Sequence, residues 1–187
     1  KRHTRFHHSL CVARLARQYS QKCALSDHDE KHLVVAGLLH DIGHGPLSHS
    51  LEPVFKEWFR LTHHEATSLI IKGNVPVGHT LPGVFRRHGL NADGIIDLIS
   101  GNSDSQHAEI FSNPINIDTI EAILRAYTYI APADTAPHPG RVVQAVINRG
   151  PSDVEILDSF WNLKNIVYRD LITNTLGVLA DYICREY

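Results

Sequence analysis

Apolar residues recur every three or four positions along most of the chain, which is the spacing of one face of an α-helix. The segment from Phe6 to about Lys22 shows it, with Leu10, Ala13, Ala16 and Tyr19 among its apolar residues at helical spacing. The sequence lacks sustained alternation of apolar and polar residues between hairpin turns, so few or no strands are expected. The pattern therefore predicts an all-α fold.

Capping signals place several helix starts. Three pairs have capping-box spacing: Ser26 with Asp29, Thr62 with Glu65, and Ser152 with Glu155. The helix after Ser26 is predicted to end near Asp41, and the helix after Thr62 at Gly73. After Ser152, one long helix or two broken helices are predicted to reach Tyr187. Four more helices are predicted from Pro46 to Phe59, Asn91 to Ser100, Pro114 past Tyr127, and Pro139 to Asn148. Loops are predicted over 74–82, 101–113 and 131–140, where prolines, glycines and polar residues collect.

Composition and charge fit one globular domain over residues 1–187. The chain is 43% apolar and 20% charged, and 187 residues can bury a sizeable core. A net charge of −2 argues against a nucleic-acid partner. The sequence shows neither a membrane-length apolar run nor a signal peptide, and its three cysteines form no CxxC pair, so we expect a cytoplasmic protein.

Histidine is concentrated near the start of the chain, where ten of its 14 copies fall within 64 residues. His40 and Asp41 stand side by side at the end of an apolar helix, where a buried carboxylate needs a partner. Imidazole and carboxylate together suit Mn, Fe, Zn, Ni or Co, and also Mg. His8 on the first helix and Asp118 on a late helix could complete the set in a bundle core.

The segments around these candidate ligands resemble those of a known protein family. The segments TRFHHSL and HDIGHGPLSH, followed by an aspartate in a later helix, resemble the HD-domain metal-dependent phosphohydrolases. Within that superfamily they are most similar to the dNTP triphosphohydrolase-like branch. The resemblance implies an HD-domain helical bundle with a buried metal site. It also implies that the chain is a fragment without the segment that precedes the first ligand helix in relatives.

The resemblance assigns roles residue by residue. It implies that one divalent ion is bound by His8, His40, Asp41 and Asp118. It implies that His64 is the catalytic acid, with His63 as its less favoured neighbour, and that Glu52 is its carboxylate partner. Arg5 and His44 match residues that contact substrate phosphates. Taken alone, His49 is interpreted as structural, His32 as a surface residue, and Glu121 as either solvent-facing or placed behind a ligand.

Some positions depart from the dNTP-hydrolysing relatives. Thr119 and Ala122 stand where relatives usually carry a cation and a tyrosine. Around Tyr168, Lys164 and Asn165 stand in a region where relatives carry an arginine and a histidine. These departures predict weak or absent turnover of standard dNTPs by this chain alone.

The sequence thus predicts a metal-dependent hydrolase of a phosphate ester, of a nucleotide or a related metabolite, with dNTP triphosphohydrolase-like character. A nucleoside 5′-monophosphatase or a phosphodiesterase stays open as an alternative. So does a non-catalytic module that binds metal or nucleotide for regulation. His44, Glu52 and His64 favour an enzyme, because a structural metal site does not need them. Relatives are commonly oligomeric, which points toward self-association.

Overall fold

The computed structural model describes residues 4–105 and 107–186. The described residues form α-helices and short 3₁₀ or π segments, with no strand among them, so the all-α prediction is confirmed. The helices are α1 Arg5–Lys22, α2 Asp27–Leu39, α3 Glu52–Phe59, α4 His63–Ile71, α5 Leu81–His88, α6 Ala92–Ser100, α7 Glu109–Ser112, α8 Ile117–Tyr127, α9 Pro139–Asn148, α10 Pro151–Val167 and α11 Thr175–Glu186.

The first helix is the centre of the bundle. Helix α1 packs against α2, α8 and α9, while α10 packs on α8 and α9 from outside. The core side chains at these contacts are almost inaccessible to solvent: Val12, Leu33, Ile120, Val142 and Phe160 are each 2% exposed or less. Complete burial of one such side chain stabilises the fold by about 1.5–3 kcal/mol. The three helices that carry the predicted ligands therefore meet in one well-packed region.

Local capping chemistry explains most of the helix boundaries. The side chain of Ser26 accepts a hydrogen bond from the Asp29 amide, and Thr62 and Glu65 form a reciprocal capping box, as predicted. Asn91 caps α6 as predicted. The predicted box at Ser152 is wrong, because α10 begins two residues earlier, at Pro151, with Gly150 as its N-cap, and the Asp153 carboxylate accepts a hydrogen bond from the Gly150 amide.

Two proline-containing segments also differ from the prediction. Helix α5 lies partly within the predicted loop over 74–82, since Pro82 is tolerated in a first helical turn, where its missing amide hydrogen costs nothing. Pro46 precedes a 3₁₀ turn at Ser48–Ser50, and α3 starts only at Glu52. The C-terminal stretch is broken by a π segment over Tyr168–Ile172; its predicted end, Tyr187, lies outside the described residues.

Gly37 sets how closely α1 and α2 approach. A Cβ atom at Gly37 would lie 3.1 Å from Ala13 Cα and 3.2 Å from its amide nitrogen. These contacts are to backbone, which cannot rotate away. Helix α1 carries His8 and α2 leads directly into His40, so this close crossing brings the two imidazoles together.

We expect Gly37→Val to lower the free energy of unfolding by about 1–3 kcal/mol, because the larger side chain forces two packed helices apart. Urea denaturation measures the change. Gly83→Val is the matched control, since a Cβ at Gly83 in α5 meets nothing within 4 Å. An equal loss of stability in both variants would show that helix propensity, and not the helix crossing, sets the cost.

Candidate metal centre

Three helices bring the four predicted ligands together. His8 lies in α1, His40 caps the C-terminus of α2 with Asp41 next to it, and Asp118 lies in the first turn of α8. His8 and His40 are buried, at 5% and 9% exposure, whereas the Asp118 side chain is 45% exposed. The cluster is thus buried on the histidine side and open to solvent at Asp118.

The distances within the cluster suit a metal ion. His8 Nε2 and His40 Nε2 are 3.2 Å apart. His8 Nε2 lies 3.0 Å from Asp118 Oδ1 and 3.6 Å from Asp41 Oδ2. His40 Nε2 lies 3.4 Å from Asp41 Oδ1 and 3.5 Å from Asp118 Oδ1. Ligand atoms about 2.0–2.2 Å from a common ion are about 3.3–3.6 Å apart in a tetrahedron, so the distances from the two histidines to the two carboxylates suit a divalent metal.

Hydrogen bonds to the other ring nitrogens orient both histidines. His40 Nδ1 bonds the Gly37 carbonyl oxygen at 2.9 Å, and His8 Nδ1 bonds the carboxylate of Glu121. A ring nitrogen that donates outward leaves Nε2 with its lone pair toward the cluster. Both imidazoles are therefore oriented with Nε2 toward the other predicted ligands.

The pKa values of His8 and Asp118 are shifted by the charged groups around them. Burial lowers the pKa of His8, but hydrogen bonds and charge from Asp118 and Glu121 outweigh it and raise the pKa to about 9. Burial raises the pKa of Asp118, yet the two histidines bring it well below its usual range. The raised pKa favours a protonated His8 beside these carboxylates, and a bound metal would displace that proton.

Glu121 lies behind His8, one of the predicted ligands. The sequence left two interpretations of Glu121 open, as a solvent-facing residue or as a residue behind a ligand. Its side chain is 6% exposed, accepts the His8 Nδ1 hydrogen bond, and pairs with Arg125 Nη2 at 3.0 Å. The available signal was its spacing: Glu121 follows Asp118 by three residues on α8, so both lie on the same helix face. Of the two alternatives, the solvent-facing one is wrong.

We expect Glu121→Gln to weaken metal binding by about 10–100-fold, because outer hydrogen-bond partners fix the orientation and basicity of a ligating histidine. Competition with a fluorescent chelator measures the affinity. Glu109→Gln is the control, since Glu109 also pairs with an arginine, Arg149 at 2.8 Å, but on the exposed surface. Unchanged affinity in Glu121→Gln would mean that His8 needs no partner behind it.

The loop after Asp41 packs directly onto the start of α4. A Cβ atom at Gly43 would lie 2.3 Å from the His63 carbonyl oxygen and from the Thr67 amide nitrogen. The Gly43 amide instead donates to Thr67 Oγ1 at 3.1 Å. Glycine is required here because of close approach, and this approach brings α4 beside the metal cluster.

Arg5 holds the rest of this loop. Its guanidinium donates to the His44 carbonyl oxygen at 3.1 Å, to the Gly45 carbonyl oxygen at 2.6 Å and to the Ser48 hydroxyl. Leu47 and Ser48 both have positive φ, at 59° and 50°, a conformation that costs energy for residues other than glycine. In the structure, Arg5 therefore stabilises a strained loop; its predicted phosphate contact stays a prediction.

A second group of histidines adjoins the ligands. His44 Nε2 lies 3.3 Å from Asp41 Oδ1, and the His44 ring stacks on His63 with centroids 4.0 Å apart and planes 12° apart. The carboxylate of Glu52 bonds Nδ1 of His63 with one oxygen and lies 3.3 Å from Nδ1 of His49 with the other. His44, His49, His63 and Glu52 thus form one connected cluster, which we call the triple-histidine cluster.

The partner of Glu52 differs from the one implied by the resemblance. Glu52 bonds His63, whose side chain is 15% exposed, and not His64, which is exposed and lies against the His63 ring at 4.0 Å. Burial would raise the pKa of Glu52, but hydrogen bonds from His63 and His49 lower it to about 2. The ionised carboxylate therefore orients His63.

Other predicted residues lie apart from both clusters. Lys164 reaches the Pro114 carbonyl oxygen at 3.4 Å and covers the Trp161 ring. His32, predicted at the surface, is 7% exposed, because its Nδ1 bonds the His28 carbonyl oxygen and its Nε2 accepts the Asn91 amide hydrogen. That prediction is wrong: His32 joins α2 to the start of α6.

A comparison with family models matches the part of the chain that contains three of the four predicted ligands. The family model described as HD domain matches residues 5–109, which contain His8, His40 and Asp41. The chain belongs to the HD-domain family. Asp118 and α8 lie beyond the matched residues, so the prediction of Asp118 as a fourth ligand rests on the geometry above and on the resemblance.

Several curated proteins are similar to this HD domain. The uncharacterised protein YwfO of Bacillus subtilis is 31% identical over 132 residues, covering 68% of this chain and 29% of YwfO. The deoxynucleoside triphosphate triphosphohydrolase SAMHD1 of Bos taurus is 30% identical over 108 residues, covering 52% of this chain and 16% of SAMHD1. The chain therefore spans less than a third of the length of these relatives.

A solved structure shares the fold. The crystal structure of a phosphohydrolase from Bacteroides thetaiotaomicron superposes with a TM-score of 0.74 at 17% identity, covering 96% of this chain and 44% of the other. At that identity the likeness shows the fold of the HD domain. In the described part of the chain, the helices are all too short or too polar to cross a bilayer.

Proposed function

We propose that this HD domain is a metal-dependent phosphohydrolase that cleaves a phosphate ester of a nucleotide or a related metabolite. The main support for the proposal is the position of the His63–Glu52 pair. Only the His44 ring lies between His63 and Asp41, one of the four predicted ligands. A structural metal site needs ligands alone. Here Asp41 contacts His44, and His44 stacks on a histidine held by its own carboxylate.

The ligands leave room for substrate. His8, His40, Asp41 and Asp118 would hold a divalent ion, which would supply a coordinated water of lowered pKa and a positive charge that polarises a phosphoryl oxygen. The chain contributes two neutral imidazoles and two carboxylates, so much of the ion's charge is neutralised. The solvent-open side at Asp118 is the side from which a phosphate can approach, because the imidazole side is buried.

His63 is the proton donor that the geometry favours. An alkoxide leaves phosphorus slowly unless it is protonated in the transition state, and a positioned acid contributes about 10²–10⁴ in rate. Glu52 bonds His63 Nδ1, which leaves Nε2 to hold and deliver the proton. A bound phosphate dianion would stabilise the imidazolium further. His64, which the resemblance implies, is the alternative donor.

Few of the side chains near the cluster carry a fixed positive charge, which favours a short phosphate chain. Three histidines, His44, His49 and His63, adjoin the ligands, whereas the Arg5 guanidinium is engaged on loop carbonyls. Thr119 and Ala122 add no charge on α8, and Lys164 turns to Pro114. We therefore favour a monophosphate ester, with a deoxynucleoside triphosphate as the second candidate, which the similarity to SAMHD1 supports.

The test is an activity screen of metal-reconstituted protein against nucleoside monophosphates, dNTPs and cyclic dinucleotides, with identification of the released products. We expect inorganic phosphate from a monophosphate and weak turnover of dNTPs. Rapid release of tripolyphosphate from dGTP would show that other residues bind the triphosphate. Absence of turnover on every class, with the metal bound, would favour the regulatory-module alternative.

A further inference from the structure

We propose that a cavity between α1 and α8 binds a small organic anion with an apolar body, at a place separate from the predicted metal ligands. The cavity has a volume of about 560 Å³, which lies within the usual range for pockets that enclose small molecules. Its lining comes from α1, from α8 and from residues 134–139, which lead into α9. Among the described residues that line it, none belongs to the four predicted ligands or to the triple-histidine cluster.

Much of the cavity wall is apolar. Leu15 of α1 and Leu124 of α8 line it and are each only 5% exposed, so both are also part of the protein core. Ala136, Pro137 and Pro139 add apolar surface from the segment that leads into α9. A wall of this composition favours a ligand with an aromatic ring or a hydrocarbon body, because such a ligand leaves water when it binds.

Two arginines give the cavity its preference for an anion. Arg14 is exposed and has no carboxylate partner in the described part of the chain. Arg125 pairs with Glu121 through Nη2 at 3.0 Å, and a guanidinium has five N–H donors, so Arg125 keeps donors for a ligand. Glu121 is already paired with Arg125 and His8, and Asp134 is exposed to solvent, which screens its charge. A carboxylate, sulfonate or phosphate group on the ligand would therefore meet uncompensated positive charge.

Glu121 joins this cavity to the predicted metal centre. Its carboxylate lines the cavity, pairs with Arg125 and accepts the hydrogen bond from His8 Nδ1. An anion bound to Arg125 would weaken the Arg125–Glu121 pair and leave more negative charge on Glu121 for His8. A carboxylate behind a ligating histidine raises the basicity of that ligand. We therefore expect the bound anion and the bound metal to strengthen each other, by the same factor in both directions.

The probe for the cavity is 8-anilinonaphthalene-1-sulfonate, which has aromatic rings and one sulfonate and fluoresces on binding apolar surface. Titration into metal-free protein measures its Kd. Arg14→Ala should weaken binding by about 3–5-fold, because it removes a partly solvated charge contact. Ala136→Phe fills part of the cavity and should weaken binding by at least about 10-fold. Arg17→Ala is the matched control, since Arg17 is exposed on α1, pairs with Glu30 and lies outside the lining.

Alkylation of cysteine locates the dye without any substitution. Cys11 lines the cavity, whereas Cys184 lies on α11. Saturating dye should slow the reaction of Cys11 with N-ethylmaleimide, measured by peptide mass spectrometry, and leave the reaction of Cys184 unchanged. Helix α11 carries exposed apolar side chains such as Leu176, which are the competing place for the dye. Unprotected Cys11, or unchanged binding in Ala136→Phe, would overturn the cavity as the binding site.

Mn²⁺ tests the coupling to the metal centre separately. In Mn²⁺-loaded wild type the Kd of the dye should fall by about 5-fold or more. The double variant His40→Ala with Asp41→Ala should bind the dye like metal-free wild type, with or without Mn²⁺. An equal Kd in loaded and metal-free wild type would overturn the coupling. Absence of bound Mn²⁺ in the wild type would contradict the metal centre and the coupling, whereas dye binding to metal-free protein would still support the cavity.

Discussion

His40→Ala combined with Asp41→Ala should remove the ion at the four-ligand cluster and lower phosphate release by at least about 10³-fold. Metal polarisation supplies several kcal/mol of transition-state stabilisation, and each 1.36 kcal/mol is tenfold in rate. The variant loses one of two imidazoles and one of two carboxylates, so the remaining pair cannot hold an ion tightly. Metal content and initial rates on the same sample measure both effects.

The matched control is His28→Ala combined with Asp29→Ala. These two residues repeat the His–Asp pair at the opposite end of α2, where both side chains are exposed and lie 3.5 Å apart. The control should keep its metal and its activity. A chelator should lower the melting temperature of the wild type and the control but leave that of the His40–Asp41 variant unchanged. Unchanged metal in that variant would refute the ligand assignment.

His63→Ala should keep the metal and the fold while losing about 10²–10⁴ in turnover of an alkyl phosphate ester. The loss should shrink for p-nitrophenyl phosphate, because its leaving group departs without a proton. His64→Ala is the paired variant: it removes the adjacent, exposed imidazole and should cost much less. Steady-state rates on both esters measure the difference.

The pH profile gives a second readout for His63. Burial lowers the pKa of His63, and the hydrogen bond that its Nδ1 donates to Glu52 opposes that shift. As an acid, His63 must be protonated, so kcat/KM should fall as the pH rises through this lowered pKa. Glu52→Gln removes the opposing charge and should move the fall to lower pH. A larger loss in His64→Ala, with an unmoved profile in Glu52→Gln, would transfer the role to His64.

Local signals in the sequence were sufficient for most of the fold. Ser26, Thr62 and Asn91 were recognisable as helix caps because their hydrogen bonds reach only two or three residues along the chain. Helix α5 was missed because Pro82 and Gly83 resemble a loop, although proline is favoured in a first turn. The false cap at Ser152 shows that capping-box spacing alone does not fix a helix start when Pro151 and Gly150 precede it.

The sequence motifs predicted the metal ligands but not the contacts between the other residues of the site. The motif predicts His8, His40, Asp41 and Asp118 as ligands, and the structure places both histidines within 3.6 Å of each of the two carboxylates. Whether Glu52 meets His63 or His64 could not be read from the sequence. Adjacent helical residues point about 100° apart, and the position of Glu52, at the start of α3, relative to the start of α4 decides between them.

The most direct test of the account is a titration of Mn²⁺ into metal-free protein, with bound metal and phosphate release from the preferred ester followed together. We expect phosphate release to rise in proportion to bound metal and to level off at one ion per chain. The metal-free protein and the His40–Asp41 double variant should stay at background throughout. If the metal-free protein released phosphate as fast as the Mn²⁺-loaded protein, the proposal of a metal-dependent phosphohydrolase would be contradicted.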